Sequence, residues 1–360
     1  MVTTKLTDNQ KQALYQNGYI VIKNAVPERI VKSAKKLVSE SLPKNSRRLL
    51  VPAGLATDSR VIALFNETCL IDLLHNEIGP FPEVISCQVA VTPGHDKIGG
   101  HPGPHVDGSW GGTIPTSAED IDLVTGRPKD PIPYFGENDD LRGSNDGQLW
   151  QDPEHRISLG SYTALVGIAL NDQNIPGNGQ FGVLKGMHHL VESEFRRQRE
   201  SGSVIGPEGL GWPRIKIRSD GTPYLNGLFD RVRMHAAKTA SHNDPITGWP
   251  WRELTPVCLN PGDAVIALHA CPHTATPNYG PNPRMNIYFR IRRQRQGNPH
   301  EGSRRLGHGV SDHLDRGYFG QFLNYPDDYD PWQISVEKLC DHWSDWDGMQ
   351  NTVALNQSDS

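Results

Sequence analysis

The sequence predicts one mainly β domain with antiparallel pairing and helices at its flanks. Three observations point there. Gly (36) and Pro (28) are plentiful in the 360 residues, which suits short strands joined by turns and loops better than a helical bundle. Apolar, β-branched runs recur along the chain, and loops rather than helices of crossover length separate them, which favours antiparallel pairing. No internal repeat and no clean linker divides the chain.

The elements follow in order. Thr7 with Gln10 three positions later is a capping-box pattern. It predicts a helix through Ala13 and Leu14, ended by Asn17-Gly18. "YIVIK" (19–23) reads as a short strand. "PERIVKSAKKLVSESL" reads as an amphipathic helix with Pro27 in its first turn and Ile30, Val31, Ala34 and Leu37 on its apolar face. Strands are expected at 83–91, 161–170, 179–185, 263–270 and 284–291. The segments 111–150 and 195–255 are long, polar insertions rich in Gly and Pro, of the kind that forms lids or binding loops. The tail carries a helix-like "QISVEKLCDHWSDW". The expected division is 1–82 as helices and a strand packed on a barrel, 83–295 as the barrel with its two insertions, and 296–360 as an extension.

Composition narrows the function. Lys plus Arg number 36 against 41 Asp plus Glu, with no basic run to track a phosphate backbone, so nucleic acid is not the expected partner. No apolar run is long enough to span a bilayer. The N-terminus has no signal-peptide core. "KLTDNQKQA" loosely fits an N-terminal peroxisomal address, but it reads equally as a capped helix, and a cytoplasmic protein is the expectation. The five Cys form no C-x-x-C pair, and their odd count suits thiols in a reducing compartment. Nothing decides between a monomer and a homodimer.

"HPGPHVDGSW" (101–110) places His105 and Asp107 two apart where Gly and Pro deny a helix. It reads either as a polar surface loop or as two legs of a metal site. His101 and His105 are four apart, but the helix and glutamate of an H-E-x-x-H zinc site are missing. A metal would need a third ligand from a distant strand, and "PGDAVIALHACPHTATPNYGPNPRMNIYFRI" (261–291) offers His269 and His273, the latter followed by Asn278 and Arg284. Two imidazoles and one carboxylate form a facial triad for Fe(II) with open positions. A guanidinium nearby offers a fork for a carboxylate.

These segments, taken with "LTDNQKQALYQNGYIVIKNAVP" and "NGQFGVLKGMHH" (178–189), resemble in order the phytanoyl-CoA dioxygenase-like family of Fe(II)/2-oxoglutarate-dependent dioxygenases. The resemblance runs from residue 6 to about 291 and leaves out the two insertions and the tail. It implies a double-stranded β-helix, a jelly roll of the cupin type. It also implies Fe(II) on His105, Asp107 and His273, and 2-oxoglutarate and O₂ as co-substrates. His269 is the rival ligand, and the family spacing to Asn278 and Arg284 fits only from His273. Arg284 would take the distal carboxylate of 2-oxoglutarate.

The family often has a Ser two residues past the distal His. Ala275 stands there, and Thr276 is the hydroxyl on offer instead. Gln88 and Thr92, an even number apart, would line the co-substrate pocket, and Trp110 and Trp150 would wall the substrate. Asn278 would fix the turn after the distal His, and His188 and His189 would be structural. Asp107 argues for hydroxylation over halogenation, since Gly or Ala there would open a site for halide; desaturation, epimerisation and ring formation stay open. The implied reaction is oxidation of an unactivated C–H bond of a small metabolite or natural-product intermediate, with succinate and CO₂ formed. A non-catalytic metal-binding cupin-like protein and a peptide or protein hydroxylase are the alternatives.

Overall fold

The computed structural model describes residues 4–42, 53–81, 83–84, 87–95, 104–106, 163–200, 228, 230–243, 253–291, 346 and 348–357, together with short strand segments at 110–111, 121–122, 127–128, 158–159, 215–217, 223–225, 250–251 and 323–324. Two antiparallel sheets organise it. The larger contains β1 (Tyr19–Ile22), β2 (Gln88–Thr92), β3 (Ala164–Ala169), β6 (Ala264–Leu268) and β8 (Arg284–Ile291) in the order β1-β6-β3-β8-β2. The smaller contains β4 (Phe181–Val183), β5 (Thr255–Val257) and β7 (His273–Ala275) in the order β5-β4-β7.

The sheets face each other. The ring of Phe181 on β4 lies 5.7 Å from that of Tyr288 on β8, and Phe181, Val183 and Val257 join the main apolar core. The opposite face of the larger sheet is covered by α2 (Glu28–Ser41) and α3 (Ser59–Asn66). Phe65 meets Phe289 at 5.4 Å, and Ser39 Oγ–H donates to Met285 Sδ at 3.7 Å. Strand alternation then assigns β8. Met285, Ile287, Phe289 and Ile291 face the helices, and Arg284, Asn286, Tyr288 and Arg290 face the smaller sheet. Every residue of this strand is buried, as expected of a strand covered on both faces.

The N-terminal reading matches closely. Helix α1 (Asp8–Asn17) starts at Thr7 with both capping-box bonds formed and ends at Gly18 in the left-handed conformation, φ +82°. A Cβ at Gly18 would lie 2.7 Å from His188 Nδ1 and 3.1 Å from Cys271 Sγ, so the position requires glycine for space as well as for φ. Pro27 is the N-cap residue of α2, one position before the first turn, and Val38 rather than Leu37 completes its buried face. Strand β1 is an edge strand of the larger sheet, with Tyr19 opposite Ala267 and Ile22 opposite Ala264. The strand expected at 83–91 is displaced to Gln88–Thr92.

Two helices had no explicit forecast, α3 and α4 (Cys69–Ile78), capped by Asp58 and Thr68. The insertion expected at 195–255 contains the end of α5 (His188–Glu200) and all of α6 (Asp230–Ala237). These pack a second, smaller core from Val106, Leu184, Met187, Val191, Phe195, Leu228, Val232, Ala236 and Ala270. The helix-like run 333–346 lies outside the described residues apart from Trp346. Beyond it, α7 (Met349–Gln357) docks on α1 through a reciprocal amide pair, Gln12 with Asn356, at 2.8 and 2.9 Å. No described helix is long and apolar enough to cross a membrane.

Candidate metal centre and anion pocket

His105 and His273, 168 residues apart in the chain, meet as an isolated antiparallel bridge. Each backbone N–H donates to the other's carbonyl, at 3.0 and 2.9 Å, and the imidazole centroids lie 4.9 Å apart. The neighbours of each histidine hold the pair. Val106, next to His105, and Ala270, three before His273, are buried in the second core. His273 is itself buried, and its Nδ1–H donates to Cys271 O at 2.9 Å. That bond leaves Nε2 as the lone-pair nitrogen, the form a metal takes. His105 is half-buried.

His269 does not share a strand with His273. Strand β6 ends at Leu268, a turn closes with Cys271 N–H on Leu268 O, and His273 opens β7 in the other sheet. His269 is buried with its ring 6.1 Å from Phe195. Asp107 and His101 lie outside the described residues, and among the described residues no three metal-ligating side chains gather. Burial pushes the Cys271 thiol up to about 12, so this sulfur stays a protonated, apolar neighbour.

Arg284 opens β8 opposite Thr92 of β2. Its side chain is 3% exposed. Nε–H donates to Gly179 O at 2.6 Å and Nη1–H to Ala90 O at 3.4 Å. Two main-chain carbonyls thus set the plane of the guanidinium, and among the described residues no carboxylate pairs with it. A buried cation without a counter-charge is costly unless something else supplies one. Thr92 is buried and Gln88 half-buried, and their partners across the ladder, Arg284 and Tyr288, put both on the inward face.

Thr276 does not reach this pocket. Across the ladder His273 is opposite Val183, Thr274 opposite Gly182 and Ala275 opposite Phe181, so His273 and Ala275 face inward and Thr274 and Thr276 outward. Thr276 Oγ1–H donates to Gln180 O at 3.1 Å. Asn278 fixes the turn, as expected. Its Nδ2 donates to Pro93 O and Asn282 O, both at 2.9 Å, and its Oδ1 accepts from Gly280 N–H at 3.2 Å. His188 is structural: Nε2–H donates to Tyr15 O at 2.7 Å, tying α5 to α1. Trp150 and the Trp110 side chain lie outside the described residues.

Sequence reading missed the inward row of Asn286, Tyr288 and Arg290 on β8 and the partners of the first two. The signal was present in "RMNIYFRI", where the polar residues occupy every second position.

No family model matches the chain, and the search of curated proteins found no match. Solved structures similar to it include HygX from Streptomyces hygroscopicus with nickel, 2-oxoglutarate and hygromycin B bound, 13% identical, TM-score 0.43, covering 81% of this chain and 90% of that one. EctD from S. alaskensis with bound Fe is 15% identical, TM-score 0.37, covering 83% and 84%. The non-heme alpha ketoglutarate dependent carbocyclase SnoK from nogalamycin biosynthesis is 13% identical, TM-score 0.36, covering 89% and 95%.

Proposed function

We propose that the chain is an Fe(II)/2-oxoglutarate-dependent oxygenase of the phytanoyl-CoA dioxygenase-like kind, with its two facing sheets forming a double-stranded β-helix. The observation that carries this is Arg284: a buried guanidinium, oriented by two carbonyls, without a carboxylate partner among the described residues and facing the sheet that bears His273. A structural metal site would have no use for a built anion pocket on the facing sheet.

The residues fit the metal. His105 and His273, joined by Asp107, would hold Fe(II) as two imidazoles and a carboxylate, and the Cys271 carbonyl keeps the His273 ring in the ligating tautomer. When bound, Fe(II) with 2-oxoglutarate and O₂ supplies the oxidation of an unactivated C–H bond, with succinate and CO₂ formed. The chain positions and shields. Arg284 would take the distal carboxylate, with Thr92 and Gln88 lining the same face. Phe181, 5.0 Å from the His273 ring, supplies an apolar wall that keeps water from it. A small metabolite or natural-product intermediate is the substrate class, hydroxylation the outcome, and Trp110 and Trp150 would wall its pocket.

The test needs no substrate. Fe(II) and then 2-oxoglutarate are added to the apoprotein without oxygen, and the weak visible charge-transfer band of the chelate is sought. The band is expected in the wild type and in His269→Ala, and is expected to be lost in His273→Ala, Asp107→Ala and Arg284→Ala. Tight metal binding with no band would sink the proposal and leave a metal-binding cupin-like protein. A band kept by His273→Ala and lost by His269→Ala would overturn the ligand set.

A further inference from the structure

A chain of directed hydrogen bonds runs along the inward face of β8 and ends on a hydroxyl. Gln173, fully buried, has its Nε2 3.5 Å from the Met285 carbonyl and 2.6 Å from Asn286 Oδ1. A carbonyl only accepts, so the Gln173 nitrogen lies on that side and donates to Asn286 Oδ1 as well. Asn286 must then present its Nδ2, which donates to Tyr288 Oη at 2.9 Å. The phenol oxygen is thereby an acceptor from Asn286, and its own proton has no acceptor among the described residues. Asn286 is 0% exposed and Tyr288 7%, so the whole relay is buried.

Packing fixes where that phenol is. The Tyr288 ring lies over Gly167 of β3, where an added Cβ would come within 2.6 Å of Cε1, and the ring meets Phe181 from the facing sheet. The phenol oxygen rests on the Asn286 amide, two residues from Arg284 on the same face. Ala275, opposite Phe181 on β7, brings no hydroxyl to this space, and Thr276 turns its own away. A guanidinium whose Nη2 has no acceptor among the described residues and a phenol whose proton has none therefore share one stretch of the inward face, and a carboxylate is the group that accepts from both.

We infer that Tyr288 is a second donor to the carboxylate held by Arg284, oriented for that role by Asn286 and Gln173. The inference rests on the proposed reading of the site as one that binds 2-oxoglutarate. Tyr288 then helps determine the co-substrate, favouring a 2-oxo diacid over a 2-oxo monoacid.

The test compares the wild type, Tyr288→Phe and Asn286→Leu as the anaerobic Fe(II) protein, titrated with 2-oxoglutarate and separately with 2-oxobutyrate, which has the same chelating end and no distal carboxylate. Tyr288→Phe keeps the ring over Gly167. It is expected to weaken 2-oxoglutarate about ten- to hundredfold, the range for one hydrogen bond to a charged group, with 2-oxobutyrate and Fe(II) affinity unchanged and a lower melting temperature, since the buried Asn286 Nδ2 loses its acceptor. Asn286→Leu removes the orienting amide, keeps the phenol, and is expected to weaken 2-oxoglutarate several-fold by the same selective pattern. Equal weakening of both oxo acids, or 2-oxoglutarate affinity within twofold of wild type in Tyr288→Phe, would overturn the assignment while leaving the oxygenase reading intact. No chelate with 2-oxoglutarate in the wild type would overturn both.

Discussion

Arg284→Met asks whether the buried guanidinium serves stability or a ligand. Met is of similar length and apolar, so it occupies the space without the charge. The replacement gives up the 2.6 Å charged bond to Gly179 O, costing about 1.5–3 kcal/mol, and the 3.4 Å contact to Ala90 O, whose geometry is too long to add much. It also removes a cation that is 3% exposed and has no carboxylate beside it among the described residues, and holding such an ion out of water carries an effective penalty of several kcal/mol.

These opposing amounts are comparable. The ligand-free variant is therefore expected to unfold within about 1.5 kcal/mol of wild type, where truncating one partner of a buried structural ion pair costs about 3–5 kcal/mol. The ligand separates the two proteins. With Fe(II) present and 2-oxoglutarate at a hundred times its dissociation constant, the wild type gains about 2.7 kcal/mol, and Arg284→Met gains none at the same concentration. Urea unfolding without oxygen, with and without 2-oxoglutarate, measures both. A ligand-free loss beyond about 3 kcal/mol would mean that the arginine is structural, and an undiminished 2-oxoglutarate increment in the variant would remove it from the pocket.

His188 should make stability depend on acid. Burial, then the neighbouring His189, holds its imidazole down to about 3 against an ordinary value of 6.5, outweighing the bond to Tyr15 O that acts the other way. The folded protein thus keeps this ring neutral where the unfolded chain protonates it. Its contribution is complete above pH 6.5 and falls by about 1.4 kcal/mol per pH unit below it, down toward pH 3. Urea midpoints measured from pH 7 to 4.5 should show this slope, reduced by about one proton in His188→Gln; an unchanged slope would contradict it. Phe65→Ala empties a fully buried site against Phe81 and Phe289 and is expected to cost about 3–5 kcal/mol in the same assay, and a loss under 1 kcal/mol would deny Phe65 its place under β8. Cys87 and Cys271, both fully buried with thiols raised by desolvation, should resist alkylation at pH 8 until the protein is denatured, while the half-buried Cys69 and Cys258 react first; peptide mapping of the labelled protein tests the order.

What the sequence determined by itself is what adjacent residues decide. The Thr7–Gln10 box and Gly18 mark α1 because capping and left-handed termination are local hydrogen-bond and steric events. The β-branched runs mark the strands to within a few residues, and β8 emerged with its expected bounds, Arg284–Ile291. Of the proposed site, the separation of His273 from Arg284 was visible because both lie on one continuous piece of chain.

Tertiary structure decided the rest. Only pairing across 168 residues sets His105 against His273, and the loop cost of that contact is repaid by burial of Val106 and Ala270 in a second core with no periodic signature. Spacing favoured His273 over His269, but only the fold shows that the chain changes sheets between them. The facing of Thr276 and Tyr288 depended on register, because a one-residue slip exchanges every inward side chain for an outward one. On a strand buried on both sides, hydrophobicity does not say which face is the helix side and which the pocket. The helices α2 and α3 took the apolar side of β8, and that packing left Arg284, Asn286 and Tyr288 turned toward the histidine pair.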